Sequence, residues 1–208
     1  MSPTASPAFV NRALWGFSLV FVAMGIAPLD RKTWLAENLL VVLLIGLLWY
    51  KRRRPELSRG AWWAMMLFLI IHQAGTHYSY PEVPYNLWLI NIFNLNLDGL
   101  MGWQRNQFDH FAHLSYGLLM ILPLWEITKK MGLTPGYISF IAWNLIISSS
   151  AVYELLEWIG GAYLGNNQTG LVGSQNDFWD AQKDVALAGL GAGLTLLTMK
   201  YMKWDRST

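Results

Sequence analysis

The sequence predicts an all-α fold: a multi-pass membrane helix bundle of six transmembrane helices with an extra outer interfacial or re-entrant segment. Three observations carry this reading. Apolar residues make up 54% of the 208 positions and charged residues only 13%, about half the ~25% of a typical soluble domain. A soluble core of that size needs a charged shell, and none is present. Six stretches approach the ~20 mostly apolar residues needed to cross a hydrocarbon layer about 30 Å thick. Finally, eleven of the fifteen Lys and Arg fall on one side of the alternation those stretches impose, the bias that marks a cytoplasmic face.

The spans cover about 9–29, 34–50, 61–77, 108–128, 135–160 and 181–202, within a single membrane domain of residues 1–208. The first lacks the basic leader and small-residue cleavage site of a signal peptide and is expected to remain in the mature protein. The second and third are short and are flanked by Trp34, Trp49, Trp62 and Trp63, aromatic residues suited to the membrane interface. Between the third and fourth spans, residues 85–103 interleave Leu, Ile, Phe and Trp with Asn86, Asn91, Asn94 and Asn96. Too apolar for water, this segment is expected to lie along the outer interface or dip back as a lid, although it lacks a basic face. A second outer loop, 161–180, joins the last two spans. The sixth span has a small-residue face with GxxxG spacing at Gly189 and Gly193, which predicts close helix packing.

With the N-terminus inside, the inner side holds Arg12, the Lys51, Arg52, Arg53 and Arg54 run, Arg59, Lys129, Lys130, Lys200, Lys203 and Arg206. Only Arg31, Lys32, Arg105 and Lys183 lie outside. Both termini are therefore expected in the cytoplasm. The absence of cysteine excludes disulfides and thiolate metal sites, and a net charge of +2 gives no reason to expect nucleic acid;. Membrane lipid is the expected partner.

All four histidines, His72, His77, His110 and His113, fall at the outer ends of the third and fourth spans, and ten of the thirteen carboxylates are outer as well. Loop acids simply complement the inner positive charge. Ionisable groups inside spans are expensive, about 2.5–3.5 kcal/mol each by insertion scales, and are by default functional or paired. Spacing shows which can meet. Asp109 and His113 are four apart with His110 between them, and Ser150, Glu154 and Glu157 form one stripe. Asp180 and Asp184 are four apart, with Asp177 a turn earlier. His72 and His77 are about 140° apart around a helix and share a face only if Gly75 ends it. Imidazole and carboxylate on facing helices form a ligand set for a divalent metal. Three readings stay open: a metal site, a proton or ion path, and a structural network neutralised by His⁺, Arg105 and Lys183. Arg105 and Asn106 also suit either an anion clamp or an interfacial anchor. No GxSxG or HExxH motif is present;.

Four motifs in order, Gly75-Thr-His-Tyr-Ser-Tyr-Pro-Glu-Val-Pro84, Arg105-Asn-Gln-Phe-Asp-His-Phe-Ala-His113, Tyr153-Glu-Leu-Leu-Glu-Trp158 and Gly173-Ser-Gln-Asn-Asp-Phe-Trp-Asp-Ala-Gln-Lys-Asp184, resemble the YjdF family of bacterial inner-membrane proteins over nearly the whole chain. The resemblance implies a multi-pass protein of the bacterial inner membrane and no particular activity. More distantly, the last three spans resemble the VanZ-like membrane family, associated with glycopeptide resistance. Asp109 and His113 match its D-x-x-x-H, Glu154 its glutamate and Asp184 its last aspartate. Glu157 and Ala188 depart from it, standing where that family tends to have Gln and Asn.

The expectation for function is a periplasm-facing, metal-dependent hydrolase or transferase acting on a lipid or lipid-linked head group. One divalent metal would be held by His72, Asp109, His113, Glu154 and Asp184, with Glu157 or Asp180 as catalytic base. His77, His110, Arg105 and Asp177 are further candidates. The alternatives are a proton- or cation-coupled transporter and a non-catalytic partner of an envelope enzyme.

Overall fold

A computed structural model describes residues 4–164 and 177–202, apart from the side chains of 162–164. Among them every regular element is helical: α1 (Pro7–Met24), α2 (Arg31–Glu37), α3 (Leu39–Lys51), α4 (Arg59–Tyr78), α5 (Tyr85–Phe93), α6 (Leu97–Met101), α7 (Phe108–Lys129), α8 (Pro135–Leu164) and α9 (Asp180–Tyr201), with a 3₁₀ turn at Tyr80–Glu82. The stretch of the outer loop from 165 to 176, Lys203 and Arg206 lie outside the described residues.

The first span ends earlier than the expected 29. Ser6 caps α1 and Pro7 opens it, but Ala27 adopts a left-handed φ of 49° and Pro28 follows, so the helix cannot continue. The second span is two helices rather than one. Asp30 caps α2 by accepting from the backbone N–H groups of Lys32 at 2.7 Å and Thr33 at 3.2 Å. At Asn38 the chain then bends by 45° into α3. The bend is pinned from α4: Gln73 Nε2 donates to Asn38 Oδ1 at 2.5 Å, and Asn38 Nδ2 donates to Thr76 Oγ1 at 3.2 Å.

Three described helices, α1, α7 and residues 135–161 of α8, are long and apolar enough to cross a membrane, and the bent α2–α3 pair makes a fourth. The six expected spans thus do not all pass on length and composition. Helices α4, with 20 residues, and α9, with 22, have the length; their buried polar groups His72, Gln73, Thr76, Asp180 and Asp184 lower their hydropathy. Each helix turns these polar groups inward and keeps an exposed apolar face, Trp63 and Leu67 on α4 and Leu190, Leu194 and Leu197 on α9, as do Leu19 of α1, Leu43 of α3 and Phe140 of α8.

Helix α7 is the centre of the bundle, packing against α9, α4 and α8. One apolar core, with Leu14, Phe17, Trp62 and Leu69, joins α1, α3 and α4. A second, with Ile121, Trp125, Ile146 and Ala192, joins α7, α8 and α9. Helices α7 and α9 touch backbone to backbone: a Cβ on Gly117 would meet the Ala188 carbonyl oxygen at 1.9 Å, and one on Gly191 would meet that of Leu114 at 2.4 Å. The closest approach therefore falls on Gly191. Gly189 instead faces the Ile147 side chain of α8, and Gly193 meets only Trp143 Nε1 at 3.9 Å.

The outer segment folds as α5 and α6 without a buried residue. Asn86 holds them together by accepting from the N–H groups of Leu97 and Asp98, and the Tyr85 hydroxyl donates to Asp98. With the polar groups satisfied inside the hairpin, Ile92 and Phe93, both 70% exposed, and Leu100 at 74% point away from the protein, as an interfacial segment requires.

Two tests follow from these contacts. Gly117→Ala should destabilise the detergent-solubilised protein by about 1–3 kcal/mol or more through overpacking, read as a lower thermal midpoint. Gly46→Ala, with open space at its Cβ, should be neutral or stabilising. Asp30→Ala should cost about 1 kcal/mol. The Thr33 and Lys32 N–H groups hold the Asp30 carboxyl below its ordinary 3.8, so its contribution is present above the unfolded pKa. It is lost as pH falls through the folded one. The difference between wild type and Asp30→Ala should therefore close on acidification below about pH 4.

Candidate metal centre and adjoining cavity

The Gly117–Gly191 contact sets α7 and α9 side by side and parallel, so residues one to two turns earlier on each helix meet. Ligand atoms of Asp109, His113 and Asp184, all buried, lie within 4.8 Å of one another. His113 Nε2 is 3.7 Å from Asp109 and 3.1 Å from Glu154 Oε1 of α8, while its Nδ1 is 3.2 Å from Ser150 Oγ. The stripe at Ser150 and Glu154 thus faces His113 from α8. Asp184 Oδ1 is buried with no hydrogen-bond partner among the described residues, and an orphaned acceptor of this kind calls for an unseen cation or proton donor.

A second group lies beside the first, nearer the outer surface. His110, Asp177 and Asp180 also bring ligand atoms within 4.8 Å of one another. His110 Nε2 is 3.5 Å from Asp180 and 3.8 Å from Asp184, bridging the two groups. Here cations are already supplied by the protein: Arg105 donates to Asp177 at 3.1 Å and to Asp180 at 2.7 Å, and Lys183 donates to Asp177 at 2.5 Å. Arg105 therefore clamps carboxylates of its own chain. Glu157 lines a cavity of about 710 Å³ together with Glu154, Asp177 and Asp180.

Two histidines lie apart from the group. His77 is turned away because α4 continues through Gly75 to Tyr78; its Nδ1 is 2.8 Å from the Met24 carbonyl at the end of α1. Gly75 instead makes room for an aromatic ring, since a Cβ there would lie 2.5 Å from Tyr80. His72 is not among the three clustered ligands. It stands on α4 across a separate cavity, with Nδ1 2.6 Å from the Tyr80 hydroxyl.

That separate cavity, about 230 Å³, opens between α3, α4, α7 and α8, and His113 and Ser150 belong to its wall. Glu37, which the spacing of candidate ligands passes over, faces it and accepts a hydrogen bond from the Tyr153 hydroxyl. The signal for Glu37 was present: a carboxylate within the apolar run 34–50 is itself an intramembrane ionisable group. Nothing in the sequence signals Tyr153 or Tyr80 as its neighbours.

These motifs can be compared with known proteins. The chain belongs to a membrane-protein family. Residues 9–205 match the family described as "predicted membrane protein (DUF2238)". Among curated relatives, the inner membrane protein YjdF of Escherichia coli (strain K12) is 29% identical over 199 residues, covering 95% of this chain and 91% of that one. The YjdF resemblance of the four motifs thus extends over 95% of the chain, and this family member shares its ancestry with an inner-membrane protein. No solved structure matches the chain.

A double-mutant cycle on Glu37→Gln and Tyr153→Phe should return a coupling of at least about 0.5 kcal/mol by thermal unfolding in detergent, as for partners in one hydrogen-bonded network.

Proposed function

We propose that the protein is a metal-dependent hydrolase or transferase acting at the outer face of the inner membrane on a lipid or lipid-linked head group. The observation that carries this is the Asp109, His113 and Asp184 group, with a buried Asp184 oxygen that has no hydrogen-bond partner among the described residues. The surroundings of His113 support it: Ser150 Oγ, 3.2 Å from Nδ1, can accept a proton from that nitrogen and so leave Nε2 to ligate, the second-shell arrangement of metal-bound histidine. Glu154 Oε1 is the fourth ligand.

A divalent cation held there would polarise a phosphoryl or acyl oxygen and lower the pKa of bound water. Glu157, on the neighbouring turn of α8 and facing the 710 Å³ cavity, is the better base. The other candidate, Asp180, is engaged by Arg105. In hydrolysis Glu157 takes the water proton as the new oxygen bond to phosphorus or carbon forms; the bond to the leaving oxygen breaks, and the proton is returned to it.

Counting α4 and α9 with the four apolar spans gives six crossings, and the eleven-to-four basic bias supports cytoplasmic termini. Transport fits less well, because the half of the bundle opposite the histidines is closed by the Ile121, Trp125 and Ile146 core, which offers no relay.

Metal analysis of protein purified without chelator should find one divalent ion per chain. His113→Ala and Asp184→Asn should lose it, and Glu157→Gln should keep it. Chelator should lower the stability of wild type by a few kcal/mol, ~2.7 at a hundredfold excess over Kd, and leave Asp184→Asn unchanged. A metal-free wild type that ignores chelator removes this reading.

A further inference from the structure

The 230 Å³ cavity runs from a polar to an apolar end on three of its walls, while α8 lines it with Ser149, Ser150 and Tyr153. On the bent α2–α3 pair the lining runs from Glu37, the last residue of α2, to Leu44 of α3; on α7, from His113 to Met120; on α4, from His72 back to Phe68. Along α7, seven residues at 1.5 Å per residue make this about 10 Å from the polar end to the apolar end. The polar end lies at the level of the candidate centre and the apolar end reaches toward the middle of the membrane.

The polar end is incomplete. His72 is only 6% exposed and lines the cavity, yet its Nε2 has no hydrogen-bond partner among the described residues. Its Nδ1 is taken by Tyr80, and Tyr80 is held in place by the absence of a side chain at Gly75. A buried imidazole nitrogen without a hydrogen-bond partner, on a residue that lines a cavity, calls for a polar atom from a ligand. At about 230 Å³ the chamber is smaller than the ~300–1,000 Å³ of sites that enclose a whole drug-sized molecule, so it seats one narrow group. The way in is lateral. Leu40, 47% exposed, stands on one rim, and the Tyr116–Ser149 hydrogen bond at the other is itself exposed.

We propose that this cavity takes a single hydrocarbon chain of a membrane lipid, entering from the bilayer, with an oxygen function at the chain's head bonded to His72 Nε2. The substrate class of the proposed enzyme is then a single-chain amphiphile, whose head group reaches the His113 centre while its chain is gripped alongside. This rests on the reading of the centre as lipid-acting and names what it acts on. It also gives His72 a role distinct from metal ligation: it positions the lipid.

The test uses the full chain in detergent, with bound lipid counted by native mass spectrometry. The single-chain probes are palmitoyl lysophosphatidylglycerol and farnesyl phosphate, an acyl and a prenyl source of the same chemistry. Dipalmitoyl phosphatidylglycerol is the two-chain control. One equivalent of a single-chain probe should bind, and whichever of the two binds more tightly identifies the source. Leu44→Trp and Met120→Trp, which fill the apolar end, should each weaken it by about tenfold or more, and His72→Phe by about tenfold. Equal binding of the two-chain lipid, or plugged variants that bind as wild type does, overturns the proposal. If neither plugged variant folds, the preference of wild type for one chain over two decides. Metal content measured on the same samples separates the two readings. A metal-free protein that still selects one chain keeps this inference and loses the enzyme. A metal-loaded protein with no chain selectivity does the reverse.

Discussion

The close approach of α7 to α9 is the constraint on which the candidate site depends. Gly117 and Gly191 let two parallel backbones touch, and the Thr195 hydroxyl donates across the same seam to the Leu118 carbonyl at 2.9 Å. Because the helices are parallel, their register is carried along their length, and the pairing that starts at Gly117 brings Asp109 and His113 level with Asp180 and Asp184. A side chain at either glycine would move the carboxylates apart as well as the helices. The polar cluster is thus held by packing a turn below it, and the charges themselves have no need to supply the attraction.

That division matters because charges are poor adhesives at this depth. Bringing several carboxylates together in a low-dielectric slot costs more than their hydrogen bonds return unless a cation joins them. The protein treats its two acidic groups differently. The outer one, Asp177 and Asp180, receives Arg105 and Lys183, whereas the inner one, Asp109 and Asp184, receives His113 alone among fixed bases, with His110 at its edge. This asymmetry is the chemical argument for placing a mobile cation in the inner group rather than the outer.

The sequence made the polar half of this architecture legible and the helix breaks much less so. Expected spans 108–128 and 181–202 end within a residue of α7 and α9, since apolar runs bounded by charged residues mark helix ends well, and i, i+4 spacing put Asp109 with His113 directly. The bend at Asn38 was not legible because its cause is tertiary: a glutamine and a threonine on α4 hold Asn38, and no local breaker announces it. The same is true of Gly191. GxxxG spacing drew attention to Gly189 and Gly193, but which glycine meets a neighbouring backbone depends on helix rotation, and a single sequence does not encode rotation. His72 was legible as deep and intramembrane, while its side of the bundle depended on how α4 packs.

The contact at the start of α4 bears on the order in which the chain can assemble. The N–H and hydroxyl of Ser58 both donate to the Glu126 carboxylate, at 2.8 and 2.5 Å, across 68 residues of chain. During synthesis α4 therefore emerges with its first turn only half satisfied and waits for α7. The core of α1, α3 and α4 draws its buried residues from positions 5–69 and can consolidate meanwhile, as domains made N-terminal first do. Arrival of Glu126 then acts as a latch between an early half and a late half, and the cavity between α3, α4, α7 and α8 is formed only when that latch closes.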